Sequence, residues 1–331
     1  MRALLRVELT RLRWRRAVLL LVAACVVVPA VIWGATAWNT RPVSDAEMAR
    51  YQQMAQDEAQ QPYVQRQVEK CVARPDRFGV SGDDVRASCE DMMVPRADQY
   101  YWRPTLDLDR ELDGSGIGVT VVLTMLLLLL GTTFVGHDWN SGSMSNQLLF
   151  DPRRSRVWVA KGLVVLLAGL AVAGAVLAAY WTGLWALAVH RDLDVRDGVL
   201  SEAYGQALRG TLVAGFAGLG GYAMTMLFRS TVATLGTLFA VAVAGPLLIT
   251  LLGFPGHQRL MPQNNYAAVM LDGITFTDYN SRSCVEAGDS AVPGAGCRVR
   301  ITTSDGAVYF GGLLLLAGVP SVLSFRRRDV P

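Results

Sequence analysis

The chain has 331 residues, of which 52% are hydrophobic and only 18% charged, with a formal net charge of +3. Soluble domains carry about 25% charged residues. The composition therefore excludes an ordinary soluble domain and places the chain in the membrane class, with the bilayer as its surroundings and no nucleic-acid partner expected.

Residues 1–16 read as a short amphipathic helix on the cytoplasmic face. Leu5, Leu9 and Leu12 recur at helical spacing, and six arginines between Arg2 and Arg16 can reach anionic headgroups. A plain topology anchor is the other reading of the same arginines. The first of six charge-free runs follows at 17–38; the others are 117–136, 162–189, 210–228, 232–252 and 307–325. Each is long enough to cross a hydrocarbon core of about 30 Å at 1.5 Å per residue. A cleaved signal peptide is the competing reading of 1–38, with Ala35, Thr36 and Ala37 as a cleavage box. The apolar run is longer than the 7–15 residues such a peptide needs. Pro29, Pro246 and Pro320 fall inside runs and favour kinks. The fourth run is rich in glycine, which predicts dependence on close packing with its neighbours.

Charge sets the orientation. The pieces 1–16, 137–161, 229–231 and 326–331 hold 14 Arg and Lys against four acids. The pieces 39–116, 190–209 and 253–306 hold the remaining 17 basic and 24 acidic residues. Basic residues in short loops mark the cytoplasmic side. The expectation is therefore an all-α polytopic membrane protein with six transmembrane helices and both termini inside.

The first outer piece, 39–116, is expected to be a small, mainly helical extracytoplasmic domain. Residues 44–72 are good helix formers with Ser44 and Asp45 as an N-cap, and a turn-rich stretch surrounds Pro75, Gly79 and Gly82. Tyr100, Tyr101 and Trp102 suit an interfacial belt or a ligand-facing cluster. Cys71 and Cys89 lie in this piece, and Cys284 and Cys297 in the last outer loop. Four cysteines allow three pairings; closure within each loop is the simplest. In the loop 137–161, residues 142–150 form a short helix with Met144 and Leu148 on one face. Asp151 then caps a long helix with Pro152 at its first position, projecting roughly 15 Å beyond the bilayer. In 253–306, residues 260–271 are expected either to lie in the outer leaflet or to dip into it, and Val299 and Ile301 alternate as expected of a short strand.

Chemistry narrows the function. The chain has two lysines, Lys70 and Lys161, neither in the G-x-x-x-x-G-K-[ST] loop that cradles nucleotide phosphates. His137, His190 and His257 flank spans and form no zinc motif, and no G-x-S-x-G occurs. The six runs hold no ionisable residue, which argues against ion-coupled transport. These absences argue against an enzyme and against any cofactor or metal bound by this chain.

The segment 136–144 reads Gly-His-Asp-Trp-Asn-Ser-Gly-Ser-Met, followed by Leu148, Leu149, Pro152, Arg153, Arg154 and Lys161, and the chain ends in Arg326, Arg327, Arg328 and Asp329. In this order, the residues resemble the permease subunits of the bacterial type-2 ATP-binding-cassette transporters, particularly those of GC-rich organisms. The resemblance implies a homodimer or heterodimer of six-span subunits in the cytoplasmic membrane, docked on cytoplasmic ATPase subunits that bind ATP and Mg. It also implies that 137–161 acts as the coupling loop. Asp138, Trp139, Gly142, Ser143, Met144, Leu148 and Leu149 would enter the ATPase, while Arg153, Arg154 and Lys161 meet it or the headgroups. A re-entrant segment at 260–271 fits the same family, and export is the implied direction. The long first outer loop departs from simpler members. A membrane-anchored sensor or assembly protein, with a ligand-binding 39–116 loop and no transport, is the alternative.

Overall fold

A computed structural model of the chain describes residues 2–80, 84–252, 256–277 and 298–327. The first helices are α1 (Arg2–Trp14), α2 (Arg16–Asn39), α3 (Asp45–Ala59), α4 (Pro62–Ala73), α5 (Val85–Met93) and α6 (Leu108–Asp113). They are followed by α7 (Ser115–Asn140), α8 (Ser143–Phe150), α9 (Arg154–His190), α10 (Val199–Phe228) and α11 (Thr231–Leu252). Last come α12 (Pro262–Met270), the strands β1 (Ile274–Thr277) and β2 (Arg298–Ile301), and α13 (Thr303–Arg327). Two compact units result, 35–106 and the remainder.

In the larger unit six helices are long and apolar enough to cross a membrane: α2, α6 with α7, α9, α10, α11 and α13. They coincide with the six charge-free runs but overrun them, because a helix continues past the lipid boundary wherever its backbone bonds remain intact. The centre of the unit is α7, α9 and α10, packed on one another. The least apolar span, α10, has a mean hydropathy of 1.4 and 44% of its most apolar window buried; α2, at 2.7, buries 17%. Glycine accounts for the inversion. A Cβ on Gly131 of α7 would collide with the carbonyl of Gly218, and one on Gly221 with that of Leu128. Helices in lipid gain from such close approach and not from hydrophobicity, since the lipid is equally apolar. Trp181, Tyr222, Phe134 and Leu177 fill the remaining space and are fully buried.

The last loop carries a 3₁₀ turn (His257–Leu260) and α12, the segment expected to be re-entrant. The expected strand is present as β2, which pairs antiparallel with β1, Ile274 opposite Ile301 and Phe276 opposite Val299. Cys284 and Cys297 lie outside the described residues, as do Gly82, Arg328 and Asp329.

Unit 35–106 has its own small core. Ser44 caps α3, accepting the Glu47 amide while Glu47 reaches back to the Ser44 amide, a complete capping box. Cys71 and Cys89 are bonded, their Cα atoms 5.8 Å apart, and bury with Val80. Tyr51 and Tyr101 stack with ring centroids 5.3 Å apart, whereas Trp102 is almost fully exposed.

Candidate functional site

The expected coupling loop forms around a turn that requires glycine. Gly142 has a left-handed backbone (φ 68°) and lets the chain leave α7 and enter α8 within two residues. α8 is short, and its two sides differ. Met144 is fully buried and Gln147 nearly so, whereas Leu149 and Phe150 are 81% and 91% exposed. Ser143 and Leu148 are half-buried. The helix thus shows an apolar pair outward while its inner side is tied down.

The tie is a buried charge network. Lys161 of α9 places its Nζ 2.7 Å from Glu8 of α1 and 2.7 Å from Asp138 of α7. All three side chains are fully buried. Arg15, at the α1–α2 junction, donates to the Asp138 carboxylate and to the carbonyl of Phe134. Its guanidinium stands 4.8 Å from the centroid of the Phe134 ring, with the Lys161 ammonium 5.5 Å away from the same centroid. Gln147 of α8 donates to Glu8 (2.6 Å) and accepts from Arg11 (3.1 Å). Two carboxylates thus face one ammonium and two guanidinium groups, Arg15 at Asp138 and Arg11 3.7 Å from Glu8, with an amide filling a remaining acceptor site. A charge withdrawn from water needs such full pairing. The network joins α1, α7, α8 and α9 at one point.

Asp138 and Lys161, which the family resemblance would set against an ATPase or the headgroups, are fully buried in this structure. They hold α8 in place from behind. Likewise the packed side of α1 carries Glu8 and Leu12, while Leu9 is about half exposed. Leu5 is half-buried, so two of the three leucines of the apolar stripe share the packed side with Glu8, and Leu9 faces outward.

α9 begins at Arg154, two residues later than expected, with Arg153 at its N-cap and no side-chain cap; Asp151 accepts the Arg153 amide at 3.2 Å instead of capping the helix. The first turns of α9 do not stand free. Arg154 donates to the Phe325 carbonyl (3.3 Å) and Trp158 to Ser321 (3.1 Å), which binds this end of α9 to the end of α13. Trp139 packs edge-on against Phe325, with Arg229 over its ring at 5.0 Å. Arg153 is exposed. Among the described residues, no cluster of His, Cys, Asp and Glu is placed to hold a metal ion.

The fold and this site define an all-α, multi-pass membrane protein with a short helix held at the end of its bundle. Comparisons with family models, characterised proteins and solved structures returned no match for the chain.

Proposed function

We propose that the chain is the membrane-spanning permease subunit of an ABC transporter, working as an exporter. A separate cytoplasmic ATPase subunit supplies the ATP chemistry, and the permease acts as a homodimer or heterodimer in a bacterial cytoplasmic membrane. One observation carries the reading. α8 presents Leu149 and Phe150 outward while Met144 and Gln147 fix it from behind, as suits a helix that enters a groove on a partner and passes its movement to the spans. The basic side of the charge census puts α8, the N-terminus and the end of α13 on the cytoplasmic face. The lack of a nucleotide-binding loop leaves the energy source to the partner.

The test is copurification of the full-length chain from its native membrane. A soluble protein with a G-x-x-x-x-G-K-[ST] loop is expected to accompany it. Leu149→Asp with Phe150→Asp should remove that partner while insertion and thermal unfolding of the permease stay unchanged. A variant that keeps the ATPase bound, with full ATP turnover, would sink the reading. The compact core of 35–106 favours a second reading, a membrane-anchored sensor. It gains if no ATPase accompanies the wild-type chain and that unit takes up a specific small molecule.

A further inference from the structure

The end of the bundle carries a second feature, distinct from α8. Pro152, Arg153, Arg154, Ser155 and Arg326 line a mostly polar hollow of about 340 Å³. Three arginines from two helices converge on it, one pair from the start of α9 and one residue from the end of α13. Arg154 is fixed at its wall by the Phe325 carbonyl. Arg153 and Arg326 are exposed, and no carboxylate pairs with either among the described residues. Asp151, two residues before Arg153, accepts the Arg153 backbone amide. The first turn of the 37-residue α9 adds partial positive charge on the same side.

Depth identifies the occupant. The charge-free run of α13 ends at Phe325, and Arg326 is the first charge beyond it. Trp158 of α9 meets Ser321 of α13, inside that run, so the start of α9 stands level with the end of α13. The hollow therefore opens where the apolar surface gives way to charge. At this depth the anions of a bilayer are lipid phosphates, and guanidinium forks match phosphate oxygens in pairs. We infer that Arg153, Arg154 and Arg326 form a binding site for the phosphate headgroup of an anionic phospholipid. The inference concerns lipid recognition and stands whether or not an ATPase docks on α8.

Native mass spectrometry of the full-length chain in detergent tests it, with phosphatidylglycerol or phosphatidylcholine added. The wild type is expected to retain phosphatidylglycerol preferentially. Arg153→Gln with Arg326→Gln should weaken that retention about 25-fold, from a factor of roughly five per arginine at a membrane surface. Arg153→Lys with Arg326→Lys should keep a large part of it, and thermal unfolding should be unchanged because both side chains are exposed. Arg13→Gln, on the exposed side of α1, serves as the control and should change retention less than about twofold. An equal loss in the control would mean that diffuse basic charge binds the lipid and would overturn the site. So would undiminished phosphatidylglycerol retention in the double Gln variant. If that variant kept its lipid but lost a copurifying ATPase, the hollow would be a protein-docking surface and the lipid assignment would fail.

Discussion

The two units of the chain hold their charges in opposite ways. At the end of the helical bundle, Glu8, Asp138 and Lys161 are fully buried and answer one another within 2.7 Å. In unit 35–106 several pairs are wet: Arg86 with Glu90 at 3.6 Å and Arg96 with Asp91 at 3.0 Å are each half exposed or more, and Arg103 with Glu47 is only partly buried. Exposed pairs contribute about 0–1 kcal/mol, so the smaller unit relies on its disulfide core and its helix caps. Buried charges are different. Their desolvation is expensive, so a network of this kind adds little net stability but punishes the loss of any member. It fixes where four helices meet.

Breaking each arrangement should separate the two. The largest effect is expected from Lys161→Met, which leaves Glu8 and Asp138 facing each other without their shared cation. A loss of roughly 3–5 kcal/mol is expected, read as a lowered unfolding temperature of the bundle in lipid nanodiscs. Removing Glu8 and Asp138 as well, by Glu8→Gln and Asp138→Asn, should recover much of that loss. A single variant no less stable than wild type would show that the three charges are not paired in the membrane. Next in size is Cys71→Ser with Cys89→Ser. The bond spans 18 residues, and closing a loop of that length is worth about 3 kcal/mol in the chain-entropy account. The loss should appear as faster proteolysis within 35–106, with the bundle untouched. Equal proteolysis with and without the bond would count against this account of the smaller unit.

The six apolar spans and the helical start of the smaller unit were legible in the sequence, while α5, β1 and the network were not. Charge-free runs find spans because a charge in hydrocarbon is costly, and the capping box at Ser44 and Glu47 is a local pattern. The Glu8–Lys161 contact joins residues 153 positions apart, and no periodicity encodes such a distance. One signal was present. Asp138 stands two residues past one charge-free run and Lys161 immediately before the next, so an antiparallel pair of spans brings them level. The pairing of Cys71 with Cys89 followed from loop membership, as the simplest of three options. The mutual fit of glycines between α7 and α10 was legible only as an excess of glycine in the fourth run.

The smallest effect sharpens the comparison from the wet side. Arg103 donates to Glu47 at 3.2 Å, and the Ser44 amide and hydroxyl do the same at 3.1 and 3.0 Å. These donors, Arg103 foremost, hold the Glu47 carboxyl down to about 2 from the ordinary 4.5. A carboxyl whose value is lowered on folding binds its proton more readily when unfolded, so it stabilises the fold above its unfolded value. That contribution is complete above about pH 4.5 and fades as the pH falls towards 2. Wild type should therefore unfold at a higher temperature than Glu47→Gln at pH 7, with the two curves converging between pH 4.5 and 2. The bundle network should leave no mark on that difference, since Glu47→Gln does not alter it. Convergence above pH 5, or a gap that widens on acidification, would show that Glu47 is not held by Arg103 and the cap, and that the wet pairs of this unit are decoration on its surface.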